Sequence, residues 1–205
     1  MTQDVSATEA RNVEGGWPPR SPAWWCPDPA RWHSDNDDAS EHEVSALAAA
    51  FVTALQPDVV IETGSHTGQT SRAIGEALAR NGQGMLYTIE IEGPFYEEAR
   101  AACEGLPVTV IHGDSMQWIT SGDMPDGVGF AWIDGLWEHR IPEIGALYPH
   151  FTPGAICAIH DTGPQFPWMA EQFRPLTDAG KIRLLNLRTP RGVSFAQILN
   201  DEETR

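Results

Sequence analysis

Val59-Val60-Ile61-Glu62-Thr63-Gly64-Ser65-His66-Thr67-Gly68 runs from a β-rich apolar stretch into a glycine turn and toward a helix. This stretch sets the fold, because a strand over 59–63 that ends in Gly64 allows a tight turn and a close backbone approach to a ligand. On either side the chain alternates between the two periodicities. Strands are expected near 85–91, 108–112, 128–134 and 155–160, and helices near 67–80, 94–104, 138–150 and 165–179. Upstream, Ser40-Glu41-His42-Glu43 has the capping-box form, and Val44, Leu47, Phe51 and Leu55 follow at helical spacing until Pro57. Such alternation predicts an α/β domain with a largely parallel sheet covered on both faces and right-handed crossovers. Near the end, Lys181–Arg188 and Gly192–Leu199 are joined only by Thr189-Pro190-Arg191, too short for a crossover helix, so they are expected to pair as an antiparallel hairpin.

The 205 residues are 41% hydrophobic and 20% charged, which fits one globular domain. Asp and Glu outnumber Lys and Arg by 29 to 13, and the formal charge of −16 opposes a nonspecific grip on nucleic acid or an anionic membrane. Cys26, Cys103 and Cys157 show no CxxC spacing, which argues for a reducing compartment and against a cysteine zinc site. With no signal-like start and no apolar run of membrane-spanning length, a cytoplasmic protein is expected. Residues 1–39, rich in proline and carrying Trp17, Trp24, Trp25 and Trp32, read as an extended arm ahead of a domain over 40–205. Its apolar area would pack on the domain or on a second subunit of a homodimer, or close as a lid over a substrate.

In an open α/β sheet the ligand sits at the carboxyl ends of the strands. The first strand delivers Glu62, a carboxylate that would repel a dinucleotide pyrophosphate but suits ammonium and sulfonium charges. That ligand is S-adenosylmethionine, with Gly64, Ser65 and Gly68 in the binding turn. The second strand ends at Glu90, where an acid can accept both ribose hydroxyl hydrogens. The third stops at Gly113-Asp114-Ser115-Met116, so Asp114 can take the adenine amino hydrogens while backbone N–H groups of Ser115 or Met116 face the ring. Each acid taken alone reads more readily as a helix cap or loop-solvating group, and it is their order along the chain that points to a cofactor.

The chain resembles the class I S-adenosylmethionine-dependent methyltransferases over about residues 44–199. The resemblance is carried by Glu62-Thr63-Gly64-Ser65-His66-Thr67-Gly68, Glu90, Gly113-Asp114-Ser115, Ile133-Asp134-Gly135 and His160-Asp161. It implies a Rossmann-like seven-stranded sheet in the order 3-2-1-4-5-7-6, strand 7 antiparallel, with helices on both faces. Ser65-His66 departs from the family pattern, standing where a third glycine is frequent.

Asp134 and Asp161, at adjacent strand ends, would repel each other unless one were protonated or a cation lay between them. A divalent ion such as Mg²⁺ would satisfy both, with His160 as a further ligand. The layout is similar to that of small-molecule O-methyltransferases of the catechol type, which carry a lysine base after the fourth strand. Here Lys181 is the lone lysine and lies elsewhere, so Glu138 or His139 would have to serve, and His139 is expected to be the base, with Asp134 beside it. Trp137 could stack on a flat substrate. The expected activity is methyl transfer to a hydroxyl of a small molecule such as a secondary metabolite, sugar or polyphenol. The alternatives are a nicotinamide-dependent oxidoreductase and a noncatalytic Rossmann-like binding protein.

Overall fold

In the computed structural model, residues 31–36, 38–164 and 166–199 are described. Trp17, Trp24, Trp25 and Cys26 of the sequence-defined arm lie outside them. Seven strands form one sheet in the order β3-β2-β1-β4-β5-β7-β6. They are β1 (Val59–Thr63), β2 (Met85–Glu90), β3 (Val108–His112), β4 (Val128–Ile133), β5 (Phe151–His160), β6 (Ile182–Leu187) and β7 (Val193–Ile198). The first five run parallel, and β7 inserts antiparallel between β5 and β6, as the short hairpin connection requires.

Side-chain alternation along each strand separates two cores. Val60, Leu86, Phe130, Trp132 and Ala158 pack under α1 (His42–Leu55) and α2 (Gln69–Asn81), with Trp32 partly buried against them. Ile61, Ile89, Ala131, Ile133 and Ile159 face the opposite way, toward α4 (Ser115–Thr120) and α5 (Arg140–Leu147). Each fully buried Ile, Leu or Phe contributes about 1.5–3 kcal/mol by leaving water. Between β2 and β3 runs α3 (Gly93–Ala102), and α6 (Pro167–Gln172) and α7 (Arg174–Asp178) lead into β6. Among the described residues no helix is long and apolar enough to cross a membrane.

Three details depart from the sequence expectation. The helix expected over 165–179 is two short helices that meet at Phe173, with Pro167 and Pro175 each near a first turn. The short helix α4 was not anticipated, because six residues carry too little periodicity to register. The capping box at Ser40 does not form: Glu41 is the N-cap of α1, without a side-chain cap bond. Ser40 and Glu41 turn toward the sheet instead, for the reason given below.

The β1 turn is held against the β4 loop. Gly64 adopts φ +79°, and a Cβ there would lie 2.6 Å from the Asp134 carbonyl oxygen and 2.9 Å from Gly135 Cα. Gly64→Ala therefore combines a left-handed backbone with a backbone clash. It should cost about 2 kcal/mol or more, read as a lowered urea midpoint at unchanged slope.

Candidate active site

A cavity of about 370 Å³ opens at the carboxyl ends of β1, β2, β3 and β4. Glu90 ends β2 on its wall, 6% exposed. Its Oε2 accepts the His66 backbone N–H at 2.7 Å and its Oε1 accepts that of Glu92 at 2.9 Å. A carboxylate has about four acceptor sites, so each oxygen keeps a lone pair for a diol. Beside it, Ser65 Oγ, His66 Nδ1 and Gln69 Oε1 are buried on the same wall and have no hydrogen-bond partner. Buried polar atoms are ordinarily paired, so this orphaned set marks where a polar ligand belongs. These residues fit the amino-acid and ribose portions of S-adenosylmethionine. Asp114 and Ser115 line the cavity across from Glu90. Asp114 also caps α4, accepting the Gln117 N–H at 2.8 Å.

Other expected cofactor residues sit elsewhere. Glu62 is fully buried and off the cavity wall. Strand parity sends it, like Val60, to the α1/α2 face, where Ser71 of α2 donates to its Oε2 while Oε1 has no partner. Burial pushes its pKa up to about 7 against the hydrogen bonds from Ser71 and Thr88. Gly68 is the N-cap of α2, where a Cβ would lie 2.7 Å from Ala99 Cα, so it serves helix packing. Met116 lies in α4 and does not line the cavity.

The opposite half of the cavity is walled by ions. Asp134 and His160 follow the parity of Trp132 and Ala158, which aims them at the segment entering α1. Asp134 Oδ2 accepts from Ser40 Oγ at 2.9 Å and lies 3.1 Å from His160 Nδ1, and His160 Nε2 is 2.9 Å from Glu41 Oε2. Between the two aspartates stands Arg140, whose Nη2 donates to Asp134 Oδ1 at 3.0 Å and to Asp161 Oδ2 at 3.1 Å. Arg191, from the β6–β7 turn, donates to both Asp161 oxygens, at 2.5 and 2.8 Å, and its backbone N–H to Glu41 at 3.1 Å. Burial would lower the His160 pKa, but Asp134, Asp161 and Glu41 raise it to about 10. Burial would raise that of Asp134, but His160 and Arg140 hold it below the usual carboxylate range. Glu41 is likewise held low by His160 and Arg191 against its burial. Positive and negative charges thus cancel within the cluster.

Atoms of Asp134, His160 and Asp161 lie within 4.8 Å of one another, the spacing of a metal site. The donor set nevertheless does not fit the expected ion, since guanidinium groups already hold these carboxylates. Arg140, Arg191, Ser40 and Glu41 were assigned no role at this centre from sequence. The one signal for Arg140 was a cation six residues beyond Asp134, in a stretch otherwise read for its histidine. His139 lines the cavity as the N-cap of α5. Trp137, 38% exposed at the rim, stacks on Trp168 at 5.4 Å and meets Phe166 edge-on at 4.7 Å.

Because the folded state raises the His160 pKa from 6.5 to about 10, the stability from its imidazolium is complete below about pH 6.5. It is lost as pH rises through about 10. Thermal unfolding should show this alkaline decline, and His160→Gln, lowered in stability at neutral pH, should flatten it.

A family model described as a methyltransferase domain matches residues 61–162. No curated protein matches the sequence. Solved structures share the fold at low identity. The O-methyltransferase TomG of Streptomyces achromogenes, involved in tomaymycin synthesis and solved with S-adenosylmethionine, is 20% identical, with 80% of this chain and 83% of that one covered and a TM-score of 0.68. A Podospora anserina methyltransferase with bound S-adenosylhomocysteine is 13% identical over 85% and 82%, at 0.69. An O-methyltransferase of Bacillus cereus, also with S-adenosylhomocysteine, is 13% identical over 76% and 80%, at 0.67. Matched domain, strand order and reversed hairpin agree with a class I S-adenosylmethionine-dependent methyltransferase.

Proposed function

We propose that this protein transfers a methyl group from S-adenosylmethionine to a hydroxyl of a small molecule. The observation that carries this reading is the β2 end. Glu90 presents two carboxylate oxygens with spare lone pairs beside the orphaned Ser65, His66 and Gln69 atoms, on one cavity wall. The cofactor, when bound, supplies an electrophilic methyl group on sulfur. The protein's own part is alignment and proton removal, since an in-line displacement needs no covalent enzyme intermediate. Glu90 would hold the ribose, Asp114 and Ser115 the adenine, and Gly64 the close turn beneath them.

The acceptor would enter by the rim formed by Leu136, Trp137 and His139. His139 is the residue on that rim suited to accept a hydroxyl proton. Asp134 would orient the hydroxyl, since its carboxylate faces the cavity and stays ionised among cations. TomG and the Bacillus cereus enzyme, named as O-methyltransferases, support an oxygen acceptor.

Glu90→Ala removes two charge-assisted hydrogen bonds and should weaken S-adenosylmethionine binding at least about tenfold by calorimetry. Unchanged affinity would take Glu90 out of the site. With an acceptor in hand, His139→Ala should lower kcat by about 10²-fold near neutral pH, with cofactor affinity retained. Equal turnover in that variant would show that another group takes the proton.

A further inference from the structure

We infer that this methyltransferase site works without a divalent ion, because Arg140 occupies the place between Asp134 and Asp161 that such an ion would take. The inference rests on the cavity being the methyl-transfer site, as proposed above.

One nitrogen makes the bridge. Arg140 Nη2 reaches Asp134 at 3.0 Å and Asp161 at 3.1 Å, so it already joins the two carboxylates that a metal would join. The arginine is locked from its other sides: Nε donates to the Gly135 carbonyl at 3.0 Å and Nη1 to that of His160 at 2.7 Å. It is buried, at 2% exposure. A bound ion would have to expel a buried guanidinium and break these bonds.

The carboxylate oxygens are engaged by other partners as well. Arg191 takes both oxygens of Asp161, and Ser40 and His160 take the second oxygen of Asp134. His160 lies between the carboxylates of Asp134 and Glu41, with Nδ1 3.1 Å from the first and Nε2 2.9 Å from the second, so both ring nitrogens are engaged. A metal-ligating imidazole needs a bare nitrogen. Two guanidinium groups thus do the electrostatic work of a divalent cation, with planar, directional bonds in place of an open coordination sphere. They leave no coordination position for substrate oxygens, so the acceptor hydroxyl must be oriented by hydrogen bonding alone. Arg140 is in this sense a positioning residue for Asp134.

Mn²⁺ titrated into the purified full-length protein and followed by electron paramagnetic resonance gives a readout independent of turnover. The free-ion signal should stay undiminished, and excess chelator should leave the melting temperature and calorimetric S-adenosylmethionine affinity unchanged. Arg140→Gln removes the bridging charge and should bind Mn²⁺ at least about tenfold more tightly than the parent, with Mn²⁺ raising its melting temperature. Stoichiometric Mn²⁺ binding by the parent protein, lost in Asp134→Asn, would overturn the inference even if Arg140→Gln failed to fold. An Arg140→Gln protein that melts cooperatively yet takes up no Mn²⁺ would remove Arg140 as what excludes the ion. Failure to bind S-adenosylmethionine would count against the proposed function and leave the metal result standing.

Discussion

Three carboxylates buried at the ends of β4 and β5 are the constraint around which this structure is arranged. Glu41, Asp134 and Asp161 are each at most 15% exposed at the side chain, and an isolated buried carboxylate costs several kcal/mol even after relaxation. Arg140, Arg191 and His160 answer them one for one. These ions come from five separated places: the entry to α1, the end of β4, the start of α5, the end of β5 and the hairpin turn before β7. Satisfying them joins those places. Arg191 also donates to the Asp38 carbonyl, so the segment entering α1 is clipped across the hairpin and becomes part of the cavity wall. That is why Ser40 abandons the helix cap its spacing suggests: the buried ions have greater need of it than a helix end that water can reach.

The other half of the cavity is governed by strand parity. Successive residues of a strand point to opposite faces, so a carboxylate one position from a strand end can be lost beneath a helix. Glu62 is such a case. It lies within β1 and under Ser71, whereas Glu90, the last residue of β2, opens onto the ligand space. The loop beyond β1 then needs Gly64, because the β4 loop that presents Asp134 passes too close for any side chain. The two sides of the cavity meet where Gly64 passes against the Asp134 backbone, next to the bond from the Asp134 N–H to the Thr63 carbonyl at 3.0 Å.

What was legible in the sequence followed from local chemistry. The β-rich runs, the helical spacing of Val44, Leu47, Phe51 and Leu55, and the short Thr189-Pro190-Arg191 link each depend on neighbours in the chain. The elements they predict are present, apart from the divided helix at Phe173 and the short α4. The reversed last strand needed no tertiary information, since three residues cannot carry a crossover. Glu90, Asp114 and Asp134 could be picked out because a strand's carboxyl end is where this class of sheet binds ligands, and all of them border the cavity.

The sequence by itself determined the element types, the α/β class and the strand ends that face a ligand, because these follow from periodicity and covalent adjacency. The tertiary structure alone decided which charges meet. Arg140 lies 21 residues from Asp161, Ser40 lies 94 from Asp134, Glu41 lies 119 from His160, and Arg191 lies 150 from Glu41. No local pattern records such distances, and a carboxylate pair on a rim calls equally for a metal ion or for arginine. Folding chose arginine, because the turn before α5 and the β6–β7 hairpin bring guanidinium groups to the one place where the buried acids required them.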